Sequence, residues 1–162
     1  MLLSYDQSNF DVVCYACNFE QDDVADRFRA AATEWRDCAR MGDAKLAAQI
    51  RDDNIDILVD LSGHSAGNRL LVFSRKPAPL QVTAWGFGTG TGLPTIDYFL
   101  TDVIIAPESE HHMYAETIRF LPSHLPYMAS IPSPEVVEPP CLVKSFVTFG
   151  SFNRLEKMNS AA

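Results

Sequence analysis

A chain of 162 residues, 47% hydrophobic and 21% charged, carries enough apolar material for one domain with a genuine core. Its formal charge of −8 argues against a nucleic acid or an anionic membrane as partner, since both select surfaces rich in Lys and Arg. No apolar run reaches the length of a membrane span, and the opening MLLSYDQSNF lacks the basic start and long apolar stretch of a signal peptide. The expected compartment is the cytoplasm.

In chain order, FDVVCYA (10–16) has strand character. DDVADRFRAAATEW (22–35) predicts a helix, with Val24, Phe28, Ala31 and Trp35 at helical spacing and acidic residues in the first turn. A second helix is expected over 42–54, where Leu46, Ala47 and Ile50 share a face. IDILVDL (55–61) is a nearly continuous aliphatic run, the pattern of a parallel strand covered on both sides. A helix over 68–75, strands over 80–85 and 97–105, and a short helix over 107–116 opened by Pro107 complete the series. Strands alternating with helices through short connections indicate an α/β protein with a Rossmann-like, doubly wound sheet.

The last third differs. Five of the ten prolines lie between Pro126 and Pro140, a linker composition assigned to 126–144. SFVTFGSFNR (145–154) then reads as a new strand, with Asn159 or Ser160 placed to cap a helix. The expected organisation is a first lobe over 1–125, the linker, and the opening of a second lobe over 145–162.

In such sheets ligands sit beyond the carboxyl ends of the strands, and both glycine-rich stretches fall there. Gly63-His64-Ser65-Ala66-Gly67 matches the G-x-S-x-G nucleophile elbow, with Asp97, Asp102, His111, His112 and His124 following in an order a Ser–Asp–His triad permits. No oxyanion-type HGGG segment precedes it, and a sharp turn with an accessible serine is the favoured reading of the motif. GFGTGTG (86–92) fails the G-x-G-x-x-G fingerprint, because Thr91 stands at the third glycine, and no G-K-[ST] follows. It remains a loop whose N–H groups and threonine hydroxyls, Thr89 and Thr91 among them, suit a sugar or another polar ligand, or else a tight inter-strand connection. His111 and His112 diverge on a helix and read as a solvated face. Cys14 and Cys17 form C-x-x-C, but on a strand they point to opposite faces, and Cys38 and Cys141 stand alone. Reduced, structural thiols are expected and no metal site.

The run DILVDLSGHSAGNRLLVFSRKPAPLQVTAWGFGTGTGLPTIDYFLTD (56–102), and later VTFGSFNRLEKMN (147–159), resemble the catalytic region of the protein O-GlcNAc transferase family, which includes the plant SPINDLY-type proteins. The resemblance implies the first lobe of a GT-B type glycosyltransferase, incomplete here, with an active site between two Rossmann-like lobes. It implies an inverting, metal-independent transfer of a sugar, N-acetylglucosamine in the family's usual form, from a UDP-sugar to Ser or Thr of a protein acceptor. No cofactor is implied beyond that nucleotide-sugar donor. An upstream array of tetratricopeptide repeats commonly accompanies such lobes.

By the same resemblance, Trp85, Gly86, Phe87 and Gly88 lie against the donor sugar, Arg69 is a basic residue near the cleft, and His64 sits in the preceding turn. Phe152 to Lys157 open the second lobe. Lys157 is the catalytic candidate, its ammonium set against the donor diphosphate, and Arg154 a donor-binding one. The family's G-Y-P in the sugar loop is replaced here by Gly86-Phe87-Gly88. On this reading the chain lacks the segment with the acceptor-activating His-Pro motif and most of the nucleotide-binding lobe, and has little transferase activity alone. The competing readings are a serine hydrolase acting through Ser65 and a non-catalytic interaction module.

Overall fold

The computed structural model describes residues 5–18, 22–124 and 133–150. The chain divides into two compact units, Met1–Pro126 and Tyr127–Ala162. In the first, β1 (Val13–Ala16), α1 (Asp23–Ala31), β2 (Glu34–Asp37), α2 (Asp43–Asp52), β3 (Ile57–Asp60), α3 (Leu70–Phe73), β4 (Leu80–Ala84), β5 (Tyr98–Thr101), a 3₁₀ turn (Glu108–Met113) and β6 (Thr117–Phe120) follow one another. β1 pairs with β2, and β3-β4-β5-β6 form a four-stranded sheet in that order, every pairing parallel. This is the α/β class expected from the alternating pattern.

The core lies where α2 and α3 meet β3 and the first sheet. Leu46, Ala47 and Ile50 of α2 are almost fully buried, and Leu70, Val72 and Phe73 of α3 join Cys38, Leu58, Ala78 and Ile96 in one cluster. Each large aliphatic side chain so buried contributes roughly 1.5–3 kcal/mol relative to its exposed state. β3 alternates, with Leu58 and Asp60 inside but Ile57 and Val59 exposed at 50% and 38%. The aliphatic run over 55–61 therefore meets neighbours on one face only, not on the two its composition suggested.

The helix expected over 22–35 stops earlier. Asp22 caps α1, its carboxylate accepting the Ala25 N–H at 2.8 Å. After Ala31 the chain extends, and the Thr33 and Glu34 N–H groups both donate to the Val12 carbonyl. Trp35 continued the helical spacing by coincidence. It lies on β2 opposite Cys14, with the Arg29 guanidinium 4.9 Å from its ring centroid. A strand is favoured there because it gives β1 a partner for its N–H and C=O groups. The segment 107–116 is likewise a 3₁₀ turn, closed by Glu110 N–H to Pro107 C=O and Tyr114 N–H to His111 C=O, and is followed by β6, which the composition of TIRF did not announce.

In the second unit a five-residue helix, α4 (Pro140–Lys144), starts on a proline within the segment read as a linker. Residues 145–150 carry no strand, and the rest of the strand expected over 145–154 lies outside the described residues. Among the described residues no helix is long and apolar enough to cross a membrane.

One polar cluster ties α2 to the first sheet. Asp53, at the end of α2, accepts hydrogen bonds from Tyr15 Oη at 2.6 Å, Arg36 at 3.1 and 3.3 Å, and Gln49 Nε2 at 2.9 Å. The Arg36 bond is the main reason its carboxyl sits below the usual range; burial opposes it, and Tyr15 and Gln49 add to the lowering. A depressed carboxylate stabilises the fold fully above its unfolded value near 3.9 and loses that contribution as pH falls through the lower folded value. Asp53→Asn is expected to lower stability by about 2 kcal/mol at pH 7 in urea titrations. The gap from the parent chain should begin to narrow below about pH 4 and close only once pH falls beneath the lower folded value.

Candidate functional site

Four consecutive parallel strands deliver their carboxyl ends to one edge of the second sheet. β3 leads into Leu61–Gly67, β4 into the glycine loop 85–93, β5 into Asp102–Ala106, and β6 into 121–124. Beneath the first two loops is a buried carboxylate. Asp60, 4% exposed, accepts the Ser62 N–H at 3.1 Å, the Gly63 N–H at 2.9 Å and the Thr83 hydroxyl at 2.8 Å. Asp60 and Thr83 are register partners on β3 and β4, so a single side chain closes the first turn and fastens it to the neighbouring strand.

The two loops then touch backbone to backbone. A Cβ on Gly86 would lie 2.5 Å from the Ser62 carbonyl carbon and 2.7 Å from the Leu61 carbonyl, while one on Gly63 would lie 2.6 Å from Phe87 Cβ. Two of the glycines are thus required by a loop–loop contact inside the protein. Gly88 differs, since a Cβ there would meet only the Ile105 side chain, at 3.6 Å and beyond.

Between them Trp85 holds φ at 58°, and Gly86 N–H reaches back to Ala84 C=O at 2.6 Å, a γ-turn of the rare, strained hand. The turn rotates the indole into a cavity of about 290 Å³ lined by Trp85, Gly86, Phe87, Gly88, Ile105 and His124. The Trp85 indole N–H is buried and finds no acceptor among the described residues. An unused donor in such a place costs about 1–3 kcal/mol unless something else accepts it.

The far side of the cavity is braced by carboxylates. Asp102 accepts the backbone N–H groups of His124 at 2.6 Å, Ile105 at 2.9 Å and Ile104 at 3.0 Å, and these bonds, His124's first, hold its carboxyl below the ordinary range. His124, 2% exposed, bonds the Leu100 carbonyl through Nδ1 at 3.3 Å and packs edge-on to Phe99. Glu116, just before β6 and 5% exposed, accepts the Thr91 N–H at 2.7 Å and the Thr91 hydroxyl, which pins the glycine loop where Gly90 turns at φ 68°.

Of the residues singled out in the sequence, Trp85, Gly86, Phe87 and Gly88 line one cavity, and His64 meets Phe87 edge to face at 5.7 Å. His64 Nε2 lies 3.0 Å from the Thr91 carbonyl, which only accepts, so Nε2 carries the proton and bridges the two loops. Thr89 is exposed, and Thr91 is buried in loop anchoring. The Arg69 guanidinium bonds the carbonyls of Cys38, Ala39 and Met41 and the Asp43 carboxylate, bracing the β2–α2 connection. Arg154 and Lys157 lie outside the described residues. Sequence reasoning missed Asp60, Ile105 and Glu116. Asp60 was visible as an acid ending an aliphatic strand, but Glu116 is legible only through its contact with a loop 25 residues earlier.

The elements of a hydrolase triad are dispersed. Asp97 is engaged by Lys76 and the Gln81 N–H, Asp102 by backbone groups, and the rings of His64, His111 and His124 each face a backbone carbonyl.

The profile of glycosyl transferase family 41 matches residues 3–128. The chain belongs to that family. It is 41% identical over 164 aligned residues to a probable UDP-N-acetylglucosamine–peptide N-acetylglucosaminyltransferase SPINDLY of Eustoma exaltatum subsp. russellianum, covering 97% of this chain and 18% of the relative. The Arabidopsis thaliana SPINDLY is 38% identical with the same coverage. Among solved structures, an O-GlcNAc transferase mutant, K341M, of Thermobaculum terrenum superposes with a TM-score of 0.79 at 35% identity, over 84% of this chain and 26% of that one. The family-41 chain described here thus spans about a fifth of the length of its SPINDLY relatives. Its parallel sheets and their helices form the first lobe of a GT-B fold.

The two kinds of glycine separate by mutation. Gly86→Ala is expected to cost about 2–4 kcal/mol in denaturant melts, because backbone atoms cannot yield to the added methyl. Gly88→Ala should stay within about 1 kcal/mol of the parent.

Proposed function

We propose that this chain forms part of the donor side of a glycosyltransferase, with the cavity behind Trp85–Gly88 receiving the sugar of a nucleotide-sugar donor. The observation that carries the reading is that cavity. It is built at the carboxyl ends of parallel strands, walled by aromatic side chains and open backbone, and holds a buried indole donor without a partner among the described residues. Relatives named for transferring N-acetylglucosamine from UDP-N-acetylglucosamine to peptides support a UDP-sugar as donor and a protein hydroxyl as acceptor.

In this reading the acceptor oxygen attacks the anomeric carbon from the face opposite the nucleotide, the configuration inverts, and the diphosphate departs without a metal. Lys157 supports the leaving diphosphate as negative charge builds on it, with Arg154 near the same groups. Phe87 and Gly88 set the room available to the sugar, while His64, bridging to Thr91, keeps the loop in place. Arg69 contributes by holding the connection that packs under α3. Whole-protein activity, an upstream repeat array and the acceptor's identity belong to the same proposal.

Saturation-transfer NMR on the chain with UDP-N-acetylglucosamine tests the cavity directly. Transfer to the acetyl and ring protons is expected, and Gly88→Val should reduce it at least tenfold without changing the melting curve. Absence of transfer, or transfer indifferent to Gly88→Val, would overturn the reading. In a full-length enzyme carrying these residues, Phe87→Ala is expected to raise the donor KM about tenfold, the effect of roughly 1.4 kcal/mol of lost contact. Labelling of Ser65 by a fluorophosphonate would instead restore the hydrolase reading.

A further inference from the structure

Cys38 does not stand alone. It directly follows β2 as Cys17 directly follows β1, and the parallel register that pairs Ala16 with Asp37 runs one step further. Cys38 N–H donates to Ala16 C=O at 2.7 Å, the bond that in a parallel ladder sets Cys38 opposite Cys17. Register partners on adjacent strands lie about 4.8 Å apart with side chains leaving on the same face. That separation is inside the range of about 4.4–6.8 Å between Cα atoms that a disulfide spans.

Both sulfurs are free thiols, and both belong to the packing over α2. Cys38 is fully buried, and Cys17 is half-buried against the same cluster. The Arg69 guanidinium lies against the Cys17 side chain and bonds the Cys38 carbonyl at 3.0 Å, which fixes a positive charge beside the more accessible sulfur. Cys14 leaves β1 on the opposite face, and Cys141 belongs to the other compact unit.

We infer that Cys17 and Cys38 are a peroxide-oxidisable dithiol pair that closes to an intramolecular disulfide across the carboxyl ends of β1 and β2. The Cys17 sulfur attacks one oxygen of a hydroperoxide, the O–O bond breaks, and water or an alcohol leaves, giving a sulfenic acid. The Cys38 sulfur then displaces the hydroxyl, the S–S bond forms, and water departs with the Cys38 proton. Two electrons pass from the thiols to the peroxide, and an external dithiol returns them. Burial raises the Cys38 thiol to about 11, so the second step is the slower one and Cys38 is the resolving partner. The bond would fasten the loop that Arg69 braces, and so stiffen the first sheet without touching the Trp85 cavity.

The test uses the full chain carrying Cys14→Ser, so that the tryptic peptide ending at Arg27 contains Cys17 as its one thiol, and the peptide 37–40 contains Cys38. After hydrogen peroxide, alkylation and digestion, these two peptides are expected as one linked species that dithiothreitol separates, with Cys141 still alkylated. The oxidised chain should melt several degrees higher, and Cys17→Ser should abolish both changes. Recovery of Cys17 and Cys38 as alkylated thiols after peroxide, or of Cys17 as a sulfinic acid without the link, would overturn the assignment. Since both outcomes are read on folded chain that retains Cys17 and Cys38, misfolding of the Cys17→Ser variant does not blunt the test.

Discussion

The carboxylate of Asp60 is the constraint on which the ligand-facing edge depends. A turn that leaves a parallel strand exposes N–H groups with no strand partner, and burying them unpaired would cost about 1–3 kcal/mol each. Asp60 takes two of them and the Thr83 hydroxyl as well, so the turn lies low against β4. Only with the turn held there can the Leu61–Ser62 backbone press against Gly86, and Gly63 against Phe87. The position of Trp85 follows from that contact, because the strand has to reverse direction within one residue to clear it. Backbone strain at φ 58° is the local consequence, and it persists because packing on both sides over-determines it.

The same solution recurs along the edge. Asp60, Asp102 and Glu116 each satisfy N–H groups of a loop that lacks regular partners, and Asp97 does so for Gln81 at the opposite end of β4. Much of the chain's acidity near the cavity is therefore internal wiring. It is not a surface presented to a cation. For the proposed anionic donor this matters at Asp60 and Asp102, where N–H donors engage the carboxylate and their dipoles offset part of its charge, whereas Glu116 keeps one oxygen without a partner among the described residues.

The legible part of the fold was the part with strong periodicity. Leu46, Ala47 and Ile50 announced α2 and its buried face, and the aliphatic run announced β3. Trp35 misled because its helical spacing from Val24, Phe28 and Ala31 ignored the need of β1 for a neighbour, which is a long-range demand. β6 is four residues of mixed polarity, without a pattern of its own, and becomes a strand because β5 offers it a free edge. At the site, the glycine loop was found by composition, which offered ligand contact or a tight connection for the loop as a whole, while the structure divides its glycines between different purposes. Gly86 and Gly63 serve contact between loops, and Gly88 borders open space. Cβ clearance, which separates these cases, is a property of the loop across the way and not of the glycine's own segment. Cys38 was read as standing alone for the same reason, since its neighbour Cys17 is set by register and not by spacing.

The cavity's chemistry can be argued one step further from its asymmetry. One wall is the strained Trp85 turn with Phe87, whose ring is steadied edge-on by His64; the other is Ile105 and His124, held by Asp102 through their backbone N–H groups. A pyranose has two kinds of surface, C–H faces that favour aromatic and aliphatic contact and a hydroxyl rim that requires hydrogen bonds. The described walls supply the first kind generously and the second sparingly, chiefly one indole N–H. Under the proposed function, recognition in this cavity is weighted towards the shape of the ring, with Gly88 setting how much substituent the wall admits. Such a wall gains little from a change in hydroxyl stereochemistry that leaves the ring's outline intact, because discrimination by hydrogen bonding is lost where few donors face the rim. Fine selection among sugars of one size must then come from polar groups outside this wall, while the wall itself excludes by volume.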